Sequence, residues 1–207
     1  MFALIGDLVG SRQVQDRTAV QDRMVGALRE VAEAVPGLQR LEPTVGDEFQ
    51  GAFATLGGAT RAALLMRLAL LPAVDVRCGL GQGSTEVYDD SRRPLLQDGP
   101  AWWAAREAVD SMAPARRSSV RTWVGGPGAE TVNALLLCRD ALVDRLSERG
   151  CRMLRLALLG ETQRRIAEVE GISKSAVSQQ FARGITAVRD AQDLLDRAGT
   201  AERTEDA

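Results

Sequence analysis

The sequence predicts an α+β protein in which strands and helices alternate as far as residue 124 and helices alone follow. Short apolar runs and stretches of helical periodicity alternate over the first part of the chain in the order β-α-β-β-α-β-α-β. The glycine-rich "GGPG" at 125–128 ends this pattern. The following residues show helical periodicity without a strand signal. We therefore expect domains at 1–124 and 129–198, and a disordered polar tail at 199–207.

Eight elements are predicted in the first domain from the spacing of apolar residues, and glycine and proline mark several of their ends. They are a strand at 2–9, a helix at 17–34, strands at 38–45 and 48–55, a helix from Gly57 to Leu71, a strand at 74–81, a helix from Pro100 to Met112 and a strand at 119–124. Gly46-Asp47 is typical of the tight turn of an antiparallel hairpin, which puts Asp47 at the hairpin tip. Residues 82–98 are predicted to be a polar loop.

The composition excludes several kinds of chemistry. The chain of 207 residues has no histidine, so imidazole catalysis and histidine metal ligands are excluded. Its three cysteines are scattered, which argues against a disulfide framework and a zinc site. The net charge of −2 gives no global basic field, and no apolar stretch reaches the ~18 residues of a membrane span. We expect a cytoplasmic protein without a membrane partner, whose chemistry uses carboxylates, arginines and hydroxyls.

Asp7 places a carboxylate near the end of the first strand, which is otherwise apolar. Alone, such an aspartate is typical of a turn or a helix cap. In an antiparallel sheet of β-α-β-β-α-β order, however, the first strand lies beside the hairpin, so Asp7 and Asp47 would converge. Two close carboxylates repel each other unless a divalent cation lies between them, and Mg²⁺ accepts one or two carboxylates together with waters and phosphate oxygens. The pair therefore predicts a Mg²⁺ site.

Four segments resemble class III nucleotidyl cyclases, in the same order, over residues 2–112. The segments are "FALIGDLVGSR", "TVGDEFQGAF", "VRCGLGQG" and "DGPAWWAAREAVD". The resemblance implies that the first domain is a ferredoxin-like palm of the cyclase type. It also implies that Asp7 and Asp47 bind Mg²⁺ or Mn²⁺, with help from the backbone carbonyl of Leu8.

The same resemblance implies a nucleotide ligand. Gly10, Ser11 and Arg12 complete the first metal motif, and Arg106 ends the helix motif. Both arginines would pair with phosphate oxygens, and the alternative is that they are surface arginines. Glu48 stands where GGDEF-type relatives have a further acidic metal-binding or catalytic residue. The alternative for Glu48 is the polar face of a strand.

Two departures from the cyclase pattern concern the ribose and the base of a nucleotide. Trp102 stands four residues before Arg106, where cyclases have an asparagine that holds the ribose. Lys174, the only lysine of the chain, lies in the C-terminal region, so the palm lacks a base-selecting lysine. Trp102 and Trp103 would face different sides of a helix, and we expect core or interface roles for them rather than base stacking.

The C-terminal region contains the pattern of a helix-turn-helix. Within 147–191 a helix is followed by a second one from Thr162, by a turn around Gly171 and by a third helix that Ser173 caps. This pattern resembles region 4 of sigma factors, and the resemblance implies that six residues face DNA: Ser173, Lys174, Ser175, Ser178, Gln179 and Arg183. The alternative is a helical oligomerisation or peptide-binding module.

Both regions together resemble the SatD family over nearly the whole chain. Our main hypothesis is a nucleotide-responsive, DNA-binding transcriptional regulator that acts as a homodimer, with DNA and a small-molecule nucleotide as partners. An alternative is an active nucleotidyl cyclase or nucleotidyltransferase that uses two metal-binding aspartates. A third hypothesis is a catalytically inert palm that dimerises a DNA-binding module.

Overall fold

The computed structural model of the protein describes residues 1–11, 14, 16–112 and 119–205, with residues 199–205 described by their backbone alone. Its strands are β1 (Phe2–Val9), β2 (Gln39–Pro43), β3 (Glu48–Phe53), β4 (Asp75–Gln82), β5 (Glu86–Asp89), β6 (Leu96–Asp98) and β7 (Thr122–Gly125). Its helices are α1 (Arg17–Ala34), α2 (Leu56–Leu70), α3 (Pro100–Met112), α4 (Glu130–Asp144), α5 (Glu148–Leu158), α6 (Gln163–Glu170), α7 (Lys174–Gln180) and α8 (Thr186–Glu205), with a π-helical turn over Phe181–Ile185. The combination of sheet and helices confirms the predicted α+β class. Within these ranges no helix has both the length and the apolarity to cross a bilayer.

Strand β1 is the centre of a five-stranded sheet of order β2-β3-β1-β4-β7. It pairs antiparallel with β3 on one side and with β4 on the other, and β7 adds to β4 in parallel. The register places Asp7 opposite Glu48 of β3 and opposite Arg77 of β4. Because directly opposite residues of antiparallel strands point to the same face, these three side chains form one row across the sheet.

The alternation of β1 divides the molecule into two apolar cores. Leu4 and Leu8 belong to the large core that contains α1 and α2. Ala3 and Ile5 point to the opposite face and pack with α3. Since side chains alternate along a strand, Asp7 belongs to the α3 face with Ala3 and Ile5.

Glycines on β4 allow α3 to lie directly on the sheet. A Cβ atom at Gly81 would lie 2.1 Å from the carbonyl oxygen of Ala101, and one at Gly79 would lie 2.3 Å from that of Ala105. A side chain at either position would therefore push α3 away from β4. The position of α3 matters because this helix carries Arg106 to the end of the sheet.

The C-terminal helices pack against α2 of the first predicted domain. A Cβ atom at Gly57 would lie 2.4 Å from the Cα atom of Asp196, so α8 closely approaches the start of α2. The guanidinium group of Arg61 donates to Asp196 at 2.7 Å and to Asp193 at 2.8 Å. One apolar core runs through both regions of the described chain. The predicted boundary at 125–128 stays a prediction.

The prediction of a polar loop at 82–98 is wrong, because β5 and β6 form an antiparallel hairpin there. Both strands are short and mostly exposed, so their sequences lack the apolar alternation that indicates a half-buried strand. The side chains of Gln39 and Gln97 donate to each other at 2.7 and 2.8 Å, which ties the hairpin to β2.

A buried ion-pair network joins the sheet to α2 and α4. Arg67 of α2 is 3% exposed, and its Nε atom donates to Asp75 at 2.9 Å. Arg67 also donates to Asp144 of α4, while Arg121 donates to Asp75 at 2.6 Å. Burial by itself would raise the pKa of Asp75, but the guanidinium groups of Arg67 and Arg121 outweigh it and hold that pKa below its ordinary value of 3.8.

We expect Asp75→Asn to destabilise the protein, because it leaves the buried guanidinium group of Arg67 with less charge compensation. Removing one member of a buried ion pair costs about 3–5 kcal/mol, and the remaining contact with Asp144 places this change near the lower limit. The stabilisation by Asp75 is complete above pH 3.8 and is lost as the pH falls through the lowered pKa of the folded state.

Urea unfolding of Asp75→Asn and the parent protein, at neutral and at acid pH, measures this effect. The two free energies of unfolding should differ at neutral pH and converge in acid. Equal unfolding midpoints at neutral pH would contradict the structural role of the network.

Candidate functional site

Asp7 and Asp47 lie on one cleft at the end of the sheet, where β1 ends and the β2–β3 turn begins. The backbone N–H of Leu8 donates to the carbonyl oxygen of Asp47 at 3.3 Å, which ties the turn to β1. The cleft has a volume of about 440 Å³ and is lined by Asp7, Leu8, Gly10, Ser11, Asp47, Glu48, Arg77, Arg106, Val109 and Asp110. It brings together all the residues predicted for metal and nucleotide binding except Arg12, which lies outside the described residues. Their roles stay predictions.

Two glycines shape the turns that meet at Asp47. Gly10 and Gly46 have φ angles of +71° and +73°, a left-handed conformation that side chains with a Cβ atom rarely adopt. The turn at Gly10 returns the chain toward the sheet, and the hydroxyl of Ser11 donates to the carboxylate of Asp47. Ser11 is buried, so this hydrogen bond holds Asp47 in place at the wall of the cleft.

Arg77 forms an ion pair with Asp7, across the register of β1 and β4. The pKa of Asp7 is raised above 3.8; burial is the largest cause, and Arg77 opposes it by lowering the pKa. The nearby charges of Asp47 and Glu48 raise it further. The carboxylate of Asp7 is therefore held in an environment that resists its negative charge, which is the condition that a bound cation would relieve.

Glu48 and Arg106 form a two-pronged pair across the cleft. The two terminal nitrogens of Arg106 donate to the two carboxylate oxygens of Glu48, each at 2.8 Å. The hydrogen bonds that Arg106 donates to Glu48 raise the pKa of Arg106 above its ordinary value. This pair connects α3 to the start of β3. In the structure Glu48 is a partner of Arg106, a role that neither alternative for Glu48 anticipated.

The charges and donor atoms of the cleft fit a divalent cation shared with a ligand. Four carboxylates and two guanidinium groups line the cleft, which leaves a net charge of −2. No cluster of three or more carboxylates and thiols suited to a metal occurs in the part of the chain that the structure describes. Mg²⁺ requires only one or two carboxylates where phosphate oxygens and waters complete its shell. Asp7 and Asp47 satisfy this requirement, and the ion itself stays a prediction.

Sequence reasoning missed two charged residues of the cleft, Arg77 and Asp110, and the apolar Val109. Arg77 interrupts the apolar run of β4 in the same way that Asp7 interrupts β1, and this parallel is a usable signal. Its Nε atom is buried without a hydrogen-bond partner among the described residues. Asp110 follows Arg106 by four residues, so both lie on one side of α3. Its role could be inferred only after Arg106 had been placed.

The six residues predicted to face DNA lie far along the chain, on and beside α7. The hydroxyl of Ser173 accepts a hydrogen bond from the backbone N–H of Ala176 and caps α7. It also forms a hydrogen bond with the hydroxyl of Ser175 at 2.9 Å. The remaining four are exposed on α7 or on the π-helical turn that follows it: Lys174, Ser178, Gln179 and Arg183.

Comparison with known proteins gives a family and a set of similar structures. The model of the SatD family matches residues 1–121, more than half of the chain. No curated protein matches. Two solved structures of bacterial light-regulated adenylyl cyclases are each 14% identical to this chain, with TM-scores of 0.48 and 0.49. The first match covers 59% of this chain and 42% of the cyclase chain, and the second covers 64% and 78%.

These comparisons overturn the main hypothesis from the sequence. The matching family and structures are described as SatD and as adenylyl cyclases, and none of them as a DNA-binding protein or a transcriptional regulator. The prediction of a DNA-binding regulator with DNA as its partner is therefore wrong. The same helical pattern, with Lys174 and Arg183 exposed, is equally compatible with a solvated helix surface, so it did not identify DNA as a partner.

We expect Asp7→Asn to leave the fold intact, because burial makes the ionised form of Asp7 unfavourable in the folded state. A raised pKa in the folded state means that the charged carboxylate opposes folding above that pKa, and this penalty disappears as the pH falls. At neutral pH the free energy of unfolding of Asp7→Asn should therefore lie within about 1 kcal/mol of that of the parent protein, and it should not be lower.

Thermal unfolding at neutral pH and near pH 4 tests this expectation. Any gain in stability of Asp7→Asn over the parent protein should be smaller at the lower pH. A large destabilisation by Asp7→Asn, comparable to that of Asp75→Asn, would show that Asp7 is a structural residue.

Proposed function

This chain belongs to the SatD family, and we propose that it is a metal-dependent nucleotidyl cyclase or nucleotidyltransferase that acts on a nucleoside triphosphate. One observation carries the proposal: the carboxylates of Asp7 and Asp47 converge on a cleft that also contains the guanidinium groups of Arg77 and Arg106. Carboxylates for a cation and guanidinium groups for phosphate are the two components that phosphoryl-type transfer requires.

Arg77 and Arg106 are suited to the phosphates. A planar guanidinium group pairs with two phosphate oxygens at once, and both arginines reach the same cleft. The side chain of Arg106 is 44% exposed, so its pair with Glu48 can exchange for a pair with phosphate at small cost. The Nε–H of Arg77, which has no hydrogen-bond partner in the part of the chain that the structure describes, is a further donor that an anion would satisfy.

Asp7, Asp47 and the backbone carbonyl of Leu8 would hold the Mg²⁺ or Mn²⁺ ion. Once bound, the ion would neutralise phosphate charge and lower the pKa of a coordinated hydroxyl. Ser11 keeps the carboxylate of Asp47 in place through its hydrogen bond, and Arg77 does the same for Asp7. In the reaction the attacking hydroxyl forms a bond to the α-phosphorus, and the bond from that phosphorus to the pyrophosphate breaks.

The proposal extends to the architecture. Residues 1–124 would be a cyclase-type palm, and α6 and α7 would form a helix-turn-helix. Gly171 has a φ angle of +64° between these two helices, and Ile166 and Val177 are fully buried. This helix pair is proposed as a packing unit only, without a role in binding nucleic acid.

We expect Asp47→Asn to lose both metal-dependent nucleotide binding and turnover, because the cation would then have one carboxylate fewer. Loss of a residue that only supports a metal ligand already lowers metal affinity or activity about 10–100-fold. Removal of a ligand itself should therefore lower them about 100-fold or more. The assay incubates radiolabelled ATP or GTP with Mg²⁺ or Mn²⁺ and follows pyrophosphate release, while calorimetry follows binding.

Asp22→Asn, an exposed carboxylate on α1, is the matched control and should behave like the parent protein. If the parent protein binds no nucleoside triphosphate in the presence of either ion, the proposed function is wrong. Binding without turnover would restrict the cleft to a binding role and would contradict the proposed enzyme.

A further inference from the structure

We propose that a second cleft, along the exposed side of α3, holds the nucleobase of the triphosphate and that the base stacks on Trp103. The proposal rests on the proposed function, because the phosphates of the same molecule would lie in the Asp7–Asp47 cleft. It assigns the ligand class as a nucleotide with a purine base.

The base cleft has a volume of about 630 Å³, within the usual range for a small-molecule site. One wall is the exposed side of α3, where four cleft residues follow each other at helical spacing: Trp103, Arg106, Glu107 and Asp110. Ile5 and Gln50 form the floor, and the segment 95–98 around β6 forms the opposite wall.

The base cleft continues into the Asp7–Asp47 cleft. Arg106 and Asp110 line both clefts. In the sheet, the floor residues Ile5 and Gln50 are paired with each other and stand two positions from Asp7 and Glu48, on the same face. Along α3, Trp103 and Asp110 are separated by roughly 10 Å, at about 1.5 Å for each residue. This length suits one nucleotide that lies along the helix, with its base at Trp103 and its phosphates in the Asp7–Asp47 cleft, which α3 lines as far as Asp110.

Trp103 offers an exposed aromatic ring on which a base can stack. Its side chain is among the large apolar ones that remain exposed, at 61%. The indole N–H donates to the carboxylate of Asp98 at 2.5 Å, which fixes the ring beside β6. Trp102, its neighbour, is buried and donates to the hydroxyl of Thr85 at 2.9 Å. A rigid, exposed indole ring loses little conformational freedom when a base stacks on it.

Two polar groups of the base cleft have unused hydrogen-bonding capacity. Within the described ranges, neither Gln50 nor Glu107 has a side-chain hydrogen bond. The amide of Gln50 offers both a donor and an acceptor, and the carboxylate of Glu107 accepts from N–H groups. Bases present N–H groups on an edge that these side chains can bind, and the two fused rings of a purine cover more of an indole than the single ring of a pyrimidine does. The cleft therefore favours purines.

Calorimetry with three ligands tests the proposal: ATP, GTP and inorganic tripolyphosphate, each with Mg²⁺. We expect Trp103→Ala to weaken ATP or GTP binding at least about tenfold, which is the effect of losing one base–aromatic stack. Tripolyphosphate has no base, so its affinity should change less than twofold. Trp103→Phe keeps a ring, should keep most of the affinity and serves as the second variant if the alanine protein does not fold.

Tryptophan fluorescence gives an independent readout, because Trp103 is one of only three tryptophans in the chain. A purine triphosphate should quench the emission of the parent protein. The quenching should persist in the control Trp123→Phe and disappear in Trp103→Phe.

The possible failures are distinguishable. If the parent protein binds neither tripolyphosphate nor a nucleotide, the proposed function fails and the base cleft fails with it. If the parent protein binds tripolyphosphate and the nucleotide equally well, only the base cleft is overturned. The same holds if Trp103→Ala leaves nucleotide affinity unchanged. A change in molar mass by light scattering together with unchanged nucleotide affinity would also overturn it, because Trp103 would then be a contact between copies of the chain.

Discussion

The antiparallel register of β1 between β3 and β4 is the constraint on which the site depends. It places Asp7 in one row with Glu48 and Arg77, so that a carboxylate pair and a guanidinium group meet on one face of the sheet. A shift of β1 by one residue would turn Asp7 into the core of α1 and α2. The glycines of β4 then bring α3 close enough for Arg106 to reach Glu48. The cleft is therefore a product of strand pairing first and of helix packing second.

Two aspartates on neighbouring strands show how the environment separates function from stability. Burial dominates at Asp7 and raises its pKa, whereas the guanidinium groups of Arg67 and Arg121 dominate at Asp75 and lower its pKa. A carboxylate whose ionised form is unfavourable is available to a cation. A carboxylate whose charge is compensated by guanidinium groups instead holds helices against the sheet. The same residue type thus lines the candidate site at Asp7 and joins helices to the sheet at Asp75.

The sequence predicted elements well where burial imposes a period and poorly where it does not. The strand at 2–9 and the helices at 17–34 and 100–112 are confirmed at these boundaries, since each buries one clear side. The β5–β6 hairpin was missed because its side chains are mostly exposed. The DNA-binding interpretation failed for a related reason. A helix-turn-helix pattern reports how two helices pack, and packing alone does not identify a partner.

The sequence by itself determined the α+β class, the order of the strands of the five-stranded sheet and of the helices between them, and the pairing of Asp7 with Asp47 as candidates for one site. These follow from local periodicity and from the short connections that such an order permits. Only the tertiary structure decided that Arg77 faces Asp7, that Glu48 binds Arg106 and that a second cleft beside Trp103 joins the first. Those contacts join residues from different strands and helices, and their geometry depends on register and on the approach of α3, which no local pattern encodes.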